Sequence, residues 1–117
     1  MLVNIYNQRD VVMMQEVAIR VPEFSVKKHL DAHIKERKEK LDGLAKRIKS
    51  DTLEVEVDVQ IGVPYEALLE EIARKKPALL VMGVKGRSNV MDMIIGSCAQ
   101  KMFRRSPIPL LSIRGDE

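Results

Sequence analysis

Residues 78–97 read Ala-Leu-Leu-Val-Met-Gly-Val-Lys-Gly-Arg-Ser-Asn-Val-Met-Asp-Met-Ile-Ile-Gly-Ser, and the fold turns on them. Residues 78–82 are apolar without a break. Such a short run, bounded by turn residues, predicts a strand buried on both faces, as central strands of parallel sheets are. Gly83 and Gly86 follow at its carboxyl end, and Gly96-Ser97 opens a helix expected to reach about Arg105. Ligands of open α/β sheets gather at that end of the strands, where loops and helix N-termini converge. Glycines let the main chain approach an anion, successive amides form a nest, and the helix start adds free N–H groups and a positive dipole end. Ser97 brings a hydroxyl donor, while Lys85 and Arg87 place charge suited to phosphate oxygens in the same loop. The plain structural alternative is a turn followed by an N-cap. Neither G-x-x-x-x-G-K-[ST] nor G-x-G-x-x-G is present, and the absence of a Walker lysine argues against a P-loop NTPase.

Outward from this stretch, strand-like and helix-like periods alternate. Downstream, Pro107 and Pro109 open a last strand, Leu110 to Ile113. Upstream, Gly62 precedes a helix with Pro64 in its first turn, running to about Lys76 with Leu68, Leu69, Ile72 and Ala73 inward. Residues 53–61 alternate strictly, which predicts an edge strand with one wet face. Residues 25–49 read as the clearest helix, N-capped by Ser25. Its expected buried stripe is Leu30, Ile34, Leu41, Leu44, Ala45 and Ile48, with a possible bend at Gly43. Residues 7–24 hold apolar clusters at Val11–Met14 and Val17–Ile19 but no clean period, and are read as a connector. Residues 2–6 form a short strand. The whole predicts a single α/β domain over residues 1–117, a right-handed parallel sheet with helices on both faces.

Composition narrows the function. Twenty basic and 17 acidic residues leave a net charge of +3, too little for charge alone to define a partner. Aromatics at 3% and no tryptophan argue against stacking platforms for single-stranded nucleic acid. Residues 27–49 carry nine basic and four acidic residues, but Glu36, Glu39 and Asp42 interrupt the positive face, and Glu36–Lys40 reads as an i,i+4 pair. Nucleic acid and membrane are therefore not the expected partners. One cysteine excludes an internal disulfide and a multi-cysteine zinc site. The start MLVNIYNQRD has no secretory pattern and no segment reaches bilayer-spanning length, so a cytoplasmic protein is expected. His29 and His33 lie four apart without a third ligand and read as a solvated helix face. Cys98, just inside a helix start, reads as packing, and the scattered methionines as gap-fillers. No paired carboxylates, Ser-His-Asp set or activated nucleophile can be assembled, so no catalytic residue is assigned and an enzyme is not expected.

The spacing Gly83-x2-Gly86-x9-Gly96-Ser97 resembles the nucleotide motif of the universal stress protein family, G-x2-G-x9-G-[ST]. Val81-Met82-Gly83, Gly86-Arg87-Ser88, the Gly62-Val63-Pro64 turn and the closing Pro-Ile-Pro-Leu-Leu-Ser-Ile-Arg agree with it, and the likeness is specific from about Val59 to Arg114. The resemblance implies an adenine nucleotide alpha-hydrolase-like fold and membership of the family's ATP-binding branch, with Mg²⁺ as counter-ion, slow hydrolysis at most, and a homodimer. Carried over by position, Gly83, Lys85, Gly86, Arg87, Ser88 and Asn89 would line the triphosphate and ribose. Gly96, Ser97, Cys98 and Ala99 would offer helix-start donors, while Ile5 and Met82 would stand at the adenine. Position 85, often histidine in the family, is lysine here.

One departure matters. Family members usually begin with a strand ending in a nucleotide-contacting aspartate, followed by a helix, whereas strand 2–6 resembles the family's second strand. In the order 3-2-1-4-5 the strand without a counterpart is central, so the fold is expected to be N-terminally truncated. Unpaired buried backbone groups cost about 1–3 kcal/mol each, against a total stability of about 5–15 kcal/mol. Three arrangements would satisfy them: direct closure into a four-stranded 3-2-4-5 sheet, a strand or cover from another chain, or a longer protein in which Met1 is not the start. Self-association is the expected one. The alternative function is a nucleotide-free module whose exposed sheet edge docks a partner chain.

Overall fold

The computed structural model describes residues 1–83 and 97–114. The chain divides into two compact units, Met1–Val63 and Pro64–Glu117.

In the first unit, strand β1 (Leu2–Asn7) runs directly into helix α1 (Gln8–Arg20), because Asn7 both ends the strand and caps the helix. Its side chain accepts the Arg9 amide hydrogen at 3.0 Å. Val21 closes α1 with its N–H on the Val17 carbonyl, and Pro22 follows where the helix cannot continue. The connector expected over residues 7–24 is thus mostly a helix. Val11, Met14 and Ala18 turn inward, but Val12, Met13, Val17 and Ile19 are exposed. A second apolar side blurs the 3.6-residue period that would have revealed the helix.

Ser25 caps helix α2 (Val26–Ile48) by accepting from the Lys28 amide at 3.2 Å, as expected. The helix runs through Gly43 as one element. Its half-buried stripe is Val26, Leu30, Ile34, Arg37, Leu41 and Ala45, while Leu44 and Ile48 are largely exposed. Arg37 takes an inward place because its partners lie on β1. It donates to Asn4 Oδ1 at 2.7 Å, and its guanidinium stands 4.4 Å from the centre of the Tyr6 ring. Tyr6 is buried, with its hydroxyl 2.8 Å from His33 Nδ1. Strand β2 (Val57–Gly62) pairs parallel with β1, from Leu2 opposite Val57 to Asn7 opposite Gly62. The regular strand is shorter than the alternating run of residues 53–61, whose start holds an isolated bridge between Ser50 and Leu53.

The second unit begins at Pro64, the first residue of helix α3 (Pro64–Lys75), as proline at a first turn should be. Leu68, Leu69 and Ile72 face inward, but Ala73 is exposed and Glu71 is buried beside it, its carboxylate engaged by Arg74. Lys76, in the left-handed region at φ 49°, turns the chain out of the helix. Strand β3 (Leu80–Gly83) pairs parallel with β4 (Leu110–Ile113), with helix α4 (Ser97–Arg105) between them in sequence. Met102 on α4 is fully buried, and Lys101 lies 4.3 Å from the centre of the Tyr65 ring on α3.

Every strand pair is parallel, and helices separate the strands, as an α/β reading requires. The described strands form two sheets of two, β1-β2 and β3-β4. One expectation changes: β3 is not covered on both faces, since Leu80 and Met82 are half-buried, whereas Val81, paired with Leu111, is about half exposed.

Candidate phosphate nest

Gly83 is the last residue of β3 and Ser97 the first of α4, so the glycine-bounded loop starts at a strand's carboxyl end and finishes at a helix N-terminus. Lys85, Gly86, Arg87, Ser88, Asn89 and Gly96 lie outside the described residues. Met82 stands opposite Ser112 and Gly83 opposite Ile113 in the β3–β4 register. Among the described glycines none has positive φ. A Cβ built on Gly83 would meet the Ile113 carbonyl oxygen at 3.9 Å, an ordinary contact. Among the described residues, then, neither backbone strain nor crowding requires glycine at this position.

At the start of α4, Ser97 is exposed, Cys98 half-buried and Ala99 only 3% exposed. The side chain of Ala99 belongs to the core, so any donor it offers is its amide. Burial raises the Cys98 thiol above its ordinary pKa, against a smaller opposing pull from Lys101. Ile5 belongs to the first unit, in β1 opposite Gln60. Since Leu2 N–H bonds to the Glu56 carbonyl at 2.7 Å, alternation turns the N–H and C=O groups of Val3 and Ile5 to the other edge of β1.

Both histidines, expected on a solvated face, have local structural roles. His29 stacks on Phe24 at 4.2 Å and contacts the Ser25 carbonyl through Nδ1 at 2.9 Å, and His33 meets Tyr6. The expected Glu36–Lys40 pair forms at 3.0 Å and lowers the Glu36 pKa, chiefly through the Lys40 hydrogen bond. Among the described residues no three His, Cys, Asp or Glu side chains converge as a metal site, and no helix is long and apolar enough to cross a membrane. An open cleft of about 630 Å³ lies between the end of α2 and residues 54–57. Asp42, Lys46, Lys49, Glu54 and Glu56 give it both signs of charge, and none of the candidate nucleotide-site residues lines it. The Asn4–Arg37 and Tyr6–His33 contacts escaped the sequence reading. Their only trace there is alternation on a strand facing an i,i+4 pair on a helix.

Parallel strand pairs with intervening helices define the class, a small α/β protein. The chain belongs to the universal stress protein family, whose model matches residues 10–114. It is 22% identical over 79 residues to universal stress protein MJ0577 of Methanocaldococcus jannaschii, covering 68% of this chain and 49% of that protein. It is 38% identical over 53 residues to a universal stress protein of Thermus aquaticus, covering 45% of this chain and 39% of that one. The chain thus spans about half or less of the length of these relatives. The solved structure of MJ0577 superposes with a TM-score of 0.79 at 17% identity, covering 99% of this chain and 75% of that one. That likeness concerns the fold.

Proposed function

We propose that this chain is an adenine-nucleotide receptor of the universal stress protein family, binding ATP through main-chain amides and acting in stress response or regulation by changing shape or partners when occupied. The observation that carries the reading is the position of the motif ends: Gly83 closes β3 and Ser97 opens α4, so the loop between them runs from a strand's carboxyl end to a helix N-terminus. Gly83, Gly86 and Gly96 would let the chain wrap the phosphates, with Lys85, Arg87, Ser88 and Asn89 supplying charge and donors. Ser97, Cys98 and Ala99 would give helix-start amides, with Met82 beside the base. Mg²⁺ would accompany the triphosphate as its counter-ion. Binding, not turnover, is the proposed role, with slow hydrolysis as the most the site would do. A self-associated chain in the cytoplasm completes the reading.

A second reading rests on the single strand partner of β1 and of β3 and on the half-exposed Val81, Leu111 and Ile113. In it the chain is an interaction module without nucleotide, whose sheet edge docks another chain. Mass spectrometry of ligand released from freshly purified protein separates the two. Adenine nucleotide approaching one per chain is expected. Protein that carries none, and takes up none on dialysis against ATP, favours the second reading.

A further inference from the structure

Strand β2 has one bonded edge and one open one. Leu2 N–H bonds to the Glu56 carbonyl and Leu2 stands opposite Val57, so Glu56, Asp58 and Gln60 turn their N–H and C=O groups to β1. Those of Val57 and Val59 turn the other way, and among the described residues β2 pairs with β1 alone. The side chains divide with the same period of two. Asn4 and Tyr6, held by Arg37 and His33, lie on the side of α2, and their register partners Val59 and Ile61 lie there with them. Glu56, Asp58 and Gln60 fall on the opposite face.

The open cleft of about 630 Å³ reaches the beginning of this edge, where Val55 and Val57 line it together with Ala45. Its α2 wall brings Asp42, Lys46 and Lys49, and its strand wall Glu54 and Glu56. Lys46, Lys49 and Glu54 are exposed and make no ion pair among the described residues. An extended chain laid on the edge would point alternate side chains to the two walls, and so meet lysine and carboxylate in turn. A second copy of β2 does not fit, because its own Glu54, Glu56 and Asp58 would stand beside the same acids. We propose that the cleft seats an extended peptide segment of a partner protein, added as a strand to β2 at Val57, its acidic side chains towards Lys46 and Lys49 alternating with basic ones towards Glu54 and Glu56. Neither nucleotide binding nor self-association enters.

Fluorescence anisotropy of the whole chain with a labelled octapeptide of alternating glutamate and lysine tests it. Saturable binding is expected, about tenfold or more tighter than to an octapeptide of the same composition with all its glutamates before its lysines. Methylating the peptide nitrogens of the glutamates alone, or of the lysines alone, should abolish binding in one case and spare it in the other, since only alternate amides of an added strand face β2. Glu54→Lys, an exposed change, should weaken binding about tenfold with an unchanged far-ultraviolet circular dichroism spectrum. No binding, equal binding of the block peptide, equal effects of the two methylations, or unchanged affinity in the folded Glu54→Lys variant would each overturn the proposal. Binding that weakens as the protein is concentrated would show another copy on the edge, and would overturn it as well.

Discussion

Gly83 sits at the end of β3 with negative φ, and among the described residues an added Cβ meets only the Ile113 carbonyl oxygen at 3.9 Å, so its replacement separates folding from binding. Gly83→Ala should leave thermal stability within about 0.5 kcal/mol of the parent, because the new Cβ makes only an ordinary contact. ATP affinity should fall about tenfold, because the same Cβ would stand where the backbone meets phosphate. Unchanged affinity in a stable variant would remove Gly83 from the site. Cys98 gives a pH test with a definite sign. Burial favours its neutral thiol in the folded chain, so the folded pKa lies above the unfolded one. The folded state is then undisturbed below the unfolded thiol's pKa and loses stability as pH rises from there towards the folded one. Alkylation of native protein should accordingly be slow at neutral pH and speed up only above the ordinary thiol range; fast labelling at neutral pH would contradict the burial. Of the candidate site, its two ends were legible as residues, since glycine after an apolar run and serine before a helical one mark boundaries. The burial of the Ala99 side chain was not, because it depends on which way α4 faces.

Helix α2 was legible because its apolar positions recur with one period and Ser25 caps it. Helix α1 was not, because a second row of valine, methionine and isoleucine erases the contrast between faces. Arg37 shows the opposite failure, a charged residue in an inward place that its partners Asn4 and Tyr6 explain. Gly43 is an exposed residue inside a continuous helix with nothing within 4 Å of a built Cβ. Gly43→Ala should therefore stabilise the chain by about 1 kcal/mol, measured by urea unfolding. A loss of stability would mean that the helix bends there after all. On α4, Met102 is 0% exposed, and Met102→Ala should cost about 2–5 kcal/mol in the same measurement. A smaller loss would mean that the second unit is packed less tightly around α4 than its burial implies.

At the scale of the whole molecule, the alternation of strands and helices was enough to predict parallel pairing, because βαβ connections leave few alternatives. The division of the strands into two pairs was not legible, since a strand's composition does not say how many neighbours it finds. Three strands or more are the ordinary minimum for an independent sheet, and each described pair has two. The central claim concerns what the loop between β3 and α4 receives. Titration calorimetry of the whole chain with ATP and Mg²⁺, with Gly86→Val as the control, tests it most directly. Saturable heat in the parent at about one nucleotide per chain, abolished in a folded Gly86→Val variant, is the predicted result; a folded parent that gives no heat would contradict the claim.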